Sequence, residues 1–224
     1  MIFFLREGRH LQNKFPNVRF LAPDRVFVSE EATIGDGAII YPDNYIYGRT
    51  VIEAGAVLRP ENILEDAFVG AGSEIEKSVL RGARVGKNCT VGPFAHLRKG
   101  ANVGDNCRVG DFVEIKNSVV GAGTKVSHLA YVGDADVGEK CNIGCGVVFC
   151  NYDGKNKHRT RVGNNCFIGS NVNLIAPVEI ADGAFVAAGT TVTEGAGKGD
   201  FVIGRVRQQI RAGGAKRYLG GEEK

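Results

Sequence analysis

VGKNCTVGPFAHLRKGANVGDNCRVGDFVEIK, residues 85–116, carries an aliphatic residue at every sixth position: Val85, Val91, Leu97, Val103, Val109 and Ile115. The usual unit is that residue, then Gly, two variable residues and a small residue. Upstream the same spacing links Ile34, Ile40, Ile46, Ile52, Leu58 and Leu64, and slips of one residue lead through Val69, Ile75 and Leu80. Downstream it passes through Val120, Val126, Val132, Val137, Ile143 and Phe149. CNYDGKNKHRTR, residues 150–161, then interrupts it, and it resumes at Val162, Ile168, Leu174, Ile180, Val186 and Val192. This is the hexapeptide repeat of a parallel β-helix. An ordinary β-sandwich would not hold a six-residue register over this length.

Three hexads make one coil, so residues about 18 apart stack at the strand spacing of about 4.8 Å, and nine coils rise to roughly 40 Å. The expected class is all-β, with a lead-in or cap over residues 1–33, the repeat over 34–197 and a basic tail over 198–224. LREGRHLQNKF in the lead-in reads as a helical turn or two, broken up by Pro16 and Pro23. Gly 32 with 6 Pro and no Trp suits a repeat array, and 43% apolar content suits a continuous core. A net charge of +3 is too weak to argue for nucleic acid. MIFFL is followed at once by Arg6 and Glu7, so the apolar run is too short for a signal peptide or a membrane span. Six cysteines without CxxC spacing fit a reduced, cytoplasmic protein.

Stacking turns the sequence into columns. Cys89, Cys107, Thr124, Cys141, Cys166 and Ala184 share one, which reads as small buried packing groups rather than zinc ligands. Pro93, Asp111, His128, Cys145, Ser170 and Ala188 share another. There His128 heads a run of small residues, a track along which a long thin ligand could lie. Arg98 and Lys116 are 18 apart. Like charges stacked on adjacent strands repel, so they are expected to hold an anion, most simply a phosphate. The tail carries Arg205, Arg207, Arg211, Lys216, Arg217 and Lys224, candidates for the phosphates of coenzyme A.

GPFAHLRKGANVG, VGDFVEIKNSVVG, SHLAYVGDADVG, NIGCGVVFCNYDGKNKHRT, FIGSN, LIAPV and AAGTTVT resemble, segment by segment, one acetyltransferase domain. It is that of the bifunctional N-acetylglucosamine-1-phosphate uridyltransferase/glucosamine-1-phosphate acetyltransferases. The resemblance covers roughly residues 18–210, and the family's uridyltransferase domain has no counterpart in it. It implies a left-handed coil, a homotrimer with sites between subunits, and transfer of acetyl from acetyl-CoA to glucosamine-1-phosphate without a metal. A separate uridyltransferase would act downstream. His128 matches the general base. Arg98, Lys116, Tyr131, Asn142 and Lys157 match residues that hold the sugar phosphate. Asn151 and Tyr152 match a pair that orients the base, fixing its tautomer through Asn151, and contacts acetyl-CoA. Cys145, Ser170, Ala188 and Arg205 match further acetyl-CoA contacts, with the Cys145 N–H stabilising the oxyanion. Cys145 replaces the family's usual Ala, and His96 stands where Arg is frequent. His128 and Arg205 are expected to reach one site from different chains.

Three alternatives stay open. The acceptor could be another amino-sugar phosphate such as galactosamine-1-phosphate, or the chain could be a non-catalytic scaffold. A metal-dependent hydratase on the same fold would need three clustered histidines, and His10, His96, His128 and His158 lack matching spacing.

Overall fold

A computed structural model describes residues 4–5 and 8–219. Among them the chain winds through three sheets of 11, 9 and 11 strands, each strand two to four residues long. Neighbours within each sheet come from successive coils and pair in parallel, apart from the antiparallel contact of Phe4–Leu5 with Val26–Ser29. The first face carries His96–Leu97, Glu114–Lys116, Tyr131–Gly133 and Val148–Cys150. The second carries Arg108–Asp111, Lys125–His128, Asn142–Ile143, Phe167–Ile168 and Phe185–Val186. The third includes Asn102–Val103, Val119–Val120 and Ala135–Val137.

The hexad predicts where each side chain points. Residues of the aliphatic positions, from Ile40 through Leu58, Leu97 and Ile115 to Ile168, are fully buried inside the coil. Burying each such side chain contributes about 1.5–3 kcal/mol. Sharp corners between faces need left-handed backbone, which Gly and Asn tolerate best. One corner accordingly reads Asn88, Asn106, Gly123, Lys140, Asn165 and Gly183, all at positive φ.

The coil starts earlier than the repeat announces. Arg19–Phe20 already pairs with Ile39–Ile40, and Val26–Ser29 with Asn44–Tyr47, so about ten turns form rather than nine. Their residues escape a six-residue index because the Pro23–Arg25 turn of 3₁₀ helix breaks it. The lead-in does contain the expected helix, α1, over Gly8–Lys14, which with Phe15 and Val18 covers the open end of the core through the buried Leu11. At the other end Phe201–Val202 still pairs with Phe185–Val186, and the tail beyond it is exposed as far as α2, Lys216–Leu219.

The cysteine column is more than filler. Sγ of Cys89, Cys107, Cys141 and Cys166 lies 3.0, 3.1, 3.0 and 3.2 Å from carbonyls of Gly104, Gly121, Gly163 and Ala181 on the next coil. Thr124 makes the same bond to Gly138 at 2.8 Å and accepts the N–H of Cys141 at 2.9 Å. The four thiols and Thr124 thus donate to the next coil, and Cys89, Thr124 and Cys141 also accept an N–H from it. Burial pushes the Cys141 thiol up to about 11.

Two outcomes follow. Cys145 and Cys150 are half-buried while the other four thiols are buried. A thiol reagent should therefore titrate no more than two of the six in native protein, and all six after denaturation; rapid reaction of a third would contradict the column. Thr124→Val leaves a buried carbonyl and N–H unpaired and should cost about 1–3 kcal/mol in urea unfolding. Thr124→Cys, which copies its neighbours, should be close to neutral.

Candidate active site

The corner that joins the second face to the first carries the imidazole. The strand Lys125–His128 ends there, Leu129 turns the chain at φ 46°, and Tyr131–Gly133 begins on the first face. His128 is exposed, and its Nδ1 lies 2.7 Å from Oδ1 of Asp111 on the preceding coil. That hydrogen bond, more than the nearby Arg108 charge, holds the Asp111 carboxyl below the usual carboxylate range.

Beyond His128 the same edge continues through Cys145, Ser170 and Ala188, one per coil. Among the described residues, nothing accepts the backbone N–H of Cys145, Ser170 or Ala188. On another edge four of the matching N–H groups are capped. Those of Ala71, Lys87, Glu139 and Asn164 bond Glu53, Asp105, Asn164 and Asp182 side chains at 2.6–2.9 Å. The difference is legible in the residue types: Cys, Ser and Ala leave donors open where acidic and amide residues close them. Arg205 ends the edge, its guanidinium donating to the Ala188 carbonyl at 3.0 Å. Three coil steps at about 4.8 Å separate the His128 and Ala188 levels by about 14 Å. Arg205 therefore lies at the Ala188 end of the edge that begins at His128.

Around the corner, on the first face, the cations arrange differently from expectation. Arg98 stacks beside Lys116 along the backbone, but its guanidinium pairs with Glu114 at 2.8 Å. Lys116 instead meets Lys157, which the interrupting loop delivers. The Lys116 ammonium lies so near that it holds the Lys157 ammonium below the ordinary lysine range. The half-buried Lys116 and the exposed Lys157 ammoniums repel at such range unless an anion or carboxylate shares them. Asp134 is the carboxylate behind them. Burial opposes its charge, but hydrogen bonds from Asn117 at 2.6 Å and from Asn151, with the charges of Lys116 and Lys157, outweigh that and hold it low.

The loop is built for this delivery. Tyr152 and Lys157 bridge as a short antiparallel hairpin. Asp153 accepts the N–H groups of Lys155 and Asn156 at 2.7 and 2.6 Å and pairs with His158 at 2.7 Å. Arg159 anchors the return by gripping Asp136 and the Asn117 carbonyl. Asn151, expected to fix the imidazole tautomer, is instead committed to Asp134 and, at 3.4 Å, to the Tyr131 hydroxyl. Asp111 is the side chain that meets Nδ1 of His128. Tyr131 lies across Gly133, where an added Cβ would come within 2.3 Å of the phenol oxygen. Asn142 lies on the second face in register with Lys125 and Phe167, across the corner from Lys116. His96 is on the first face, its imidazole held below the usual histidine range chiefly by burial. Neither it nor His158 approaches His128 in a ligating group, and no cluster of three or more metal-ligating side chains occurs among the described residues.

The sequence reading passed over Asp111, Glu114, Asn117 and Asp134. Asp111 had a signal: it occupies the His128 column one coil earlier. Asp134 had one of the same kind, since Asn117 and Asn151 lie one coil step on either side of it.

Comparison with known proteins agrees with this fold. The bacterial transferase hexapeptide (six repeats) model matches residues 82–117 and 159–194, and the hexapeptide repeat of succinyl-transferase matches residues 63–93. The chain is 46% identical over 212 residues to a protein named bifunctional protein GlmU from Clostridium novyi, covering 94% of this chain and 46% of that one. It is 47% identical over 191 residues to the protein of the same name from Carboxydothermus hydrogenoformans, covering 85% of this chain and 43% of that one. The chain thus spans a little under half the length of these relatives. A UDP-N-acetylglucosamine acyltransferase from Francisella novicida superposes with a TM-score of 0.53 at 18% identity, over 89% of this chain and 73% of that one. The shared fold is the left-handed β-helix.

The Lys116–Lys157 pair yields a test of opposite signs. Lys157→Ala should leave the melting temperature of the unliganded protein unchanged or raised, because a repulsion is removed. It should also weaken binding of a phosphate-bearing ligand by about tenfold or more, the worth of a charge-assisted hydrogen bond. Effects of Lys116→Ala and Lys157→Ala on that binding should couple rather than add. Strict additivity in isothermal titration would mean that they do not share one anion.

Proposed function

We propose that this chain, homologous over some nine-tenths of its length to bifunctional GlmU proteins, is an acetyl-CoA-dependent N-acetyltransferase acting on glucosamine-1-phosphate. One observation carries the reading: an exposed imidazole shares an edge with three unpartnered backbone N–H groups and an arginine. Such an edge suits a long, thin co-substrate with a reactive thioester at one end and phosphates at the other. The identity of the acceptor rests on the CNYDGKNKHRT motif and its neighbours.

In this mechanism Lys116 and Lys157 hold the sugar phosphate, with Arg98, Tyr131 and Asn142 bounding the sugar. His128 takes a proton from the amine at the ring nitrogen that does not face Asp111. The neutral amine attacks the thioester carbonyl as His128 takes that proton from it, and the N–H of Cys145 donates to the oxygen on which charge develops. As the C–N bond forms and the C–S bond breaks, His128 returns its proton to the departing sulfur. Ser170, Ala188 and Arg205 hold the remainder of the coenzyme, with Tyr152 and Asn151 bounding its acetyl end. None of these steps calls on a metal.

Assembly as a homotrimer belongs to the same proposal. Phe94, Phe112 and Leu129 form an exposed ridge at 48%, 56% and 57% beside the Asp111–His128 column. They are the apolar residues among the non-glycine positions at positive φ, where a bulky side chain is disfavoured. Phe94 and Phe112 stack at 5.2 Å. Burial of that ridge against another copy would enclose the open side of the track. A separate uridyltransferase would take the product onward.

The assay is direct: free CoA should appear when the chain receives acetyl-CoA and glucosamine-1-phosphate, and much less with galactosamine-1-phosphate. His128→Ala should lower kcat by about two to four orders of magnitude with KM for both substrates nearly unchanged. No CoA release with either sugar phosphate would leave the scaffold reading in its place.

A further inference from the structure

We infer that Asp111 is a positioning residue for this chemistry: it holds the Nδ1–H of His128 and so keeps Nε2 as the nitrogen able to accept the substrate's proton. The geometry comes from the ladder itself. Asp111 and His128 are direct register partners on adjacent strands, and the N–H of Leu129 bonds the Asp111 carbonyl at 2.9 Å. The strands approach closely there because residue 110 is Gly; an added Cβ would come within 2.0 Å of the Ser127 carbonyl oxygen. The two side chains leave the same corner in the same direction, and Oδ1 meets Nδ1 at 2.7 Å.

The proton assignment follows from the donor inventory. Asp111 is held in its ionised form, chiefly by this hydrogen bond. An ionised carboxylate only accepts, so the neutral ring must carry its hydrogen on Nδ1 and its lone pair on Nε2. Free imidazole in water favours the opposite tautomer, with hydrogen on Nε2, which cannot take a proton there. When Nε2 gains a proton in the reaction, the same carboxylate faces the new positive charge at no cost of rearrangement. Beside the pair, the Arg108 charge on the Asp111 strand also favours the ionised carboxylate. Within this chain the Asn151 amide donates to Asp134 rather than to His128.

The kinetic arm of the test rests on the acetyl-transfer reading; the spectroscopic arm does not. ¹⁵N spectra of histidine-labelled full chain, with His128 assigned by its loss in His128→Ala, report the tautomer directly. Native protein should show Nδ1–H and an unprotonated Nε2. Asp111→Ala and the isosteric Asp111→Asn should both move the signal towards the Nε2–H form. Both should lower kcat by about ten- to a hundredfold, part of what general-base catalysis supplies, while KM for each substrate stays as in native protein. Asp111→Glu should recover part of the loss. A native-like tautomer in both Asp111→Ala and Asp111→Asn, or native kcat in both, overturns the inference. Inactive native protein with the Nδ1–H tautomer would instead sink the proposed activity and leave the Asp111 assignment standing.

Discussion

Every feature of this molecule depends on one constraint, the hydrogen-bonded register between consecutive coils. Pairing residues 16–18 positions apart, or 25 across the loop, fixes three faces and three edges from a single local rule. It also sums small terms. Aliphatic side chains stack inside, and thiols and Thr124 bridge coil to coil. The aliphatic stack fills the interior of the coil, and chemistry is therefore done on its outside.

The same register accounts for how the candidate site is assembled. Adjacent coils present the same corner at a fixed rise, so Asp111, His128 and Cys145 become neighbours by position alone. The open N–H groups at Cys145, Ser170 and Ala188 arise because those side chains are too short or wrongly equipped to cap them. What the coil cannot supply is a projecting charge, since its corner residues point along fixed directions. The CNYDGKNKHRTR loop supplies it. Asp153 and Arg159 stiffen the excursion, and it brings Lys157 to Lys116 over Asp134. Two like charges are thereby kept near each other by backbone geometry rather than by mutual attraction, as expected of an anion site built before its ligand arrives.

Much of this was legible in the sequence. The six-residue spacing identified the coil, and the column index put His128, Cys145, Ser170 and Ala188 on one edge. The start of the coil was misread because the turn at Pro23–Arg25 breaks the index while the pairing of Arg19–Phe20 and Val26–Ser29 continues. The anion pair was misassigned for a different reason. Arg98 and Lys116 do stack by position, but position does not say where a long side chain ends, and Glu114 claimed the guanidinium.

By itself, then, the sequence determined the coil, its interior, the identity of each edge and the place of the one long loop, because all of these follow from a local period repeated many times. The tertiary structure decided the pairings that the period leaves free: Arg98 to Glu114, and Lys157 to Lys116. Those depend on side-chain reach and on a loop that leaves the repeat, and neither distance nor direction at that scale is encoded in spacing.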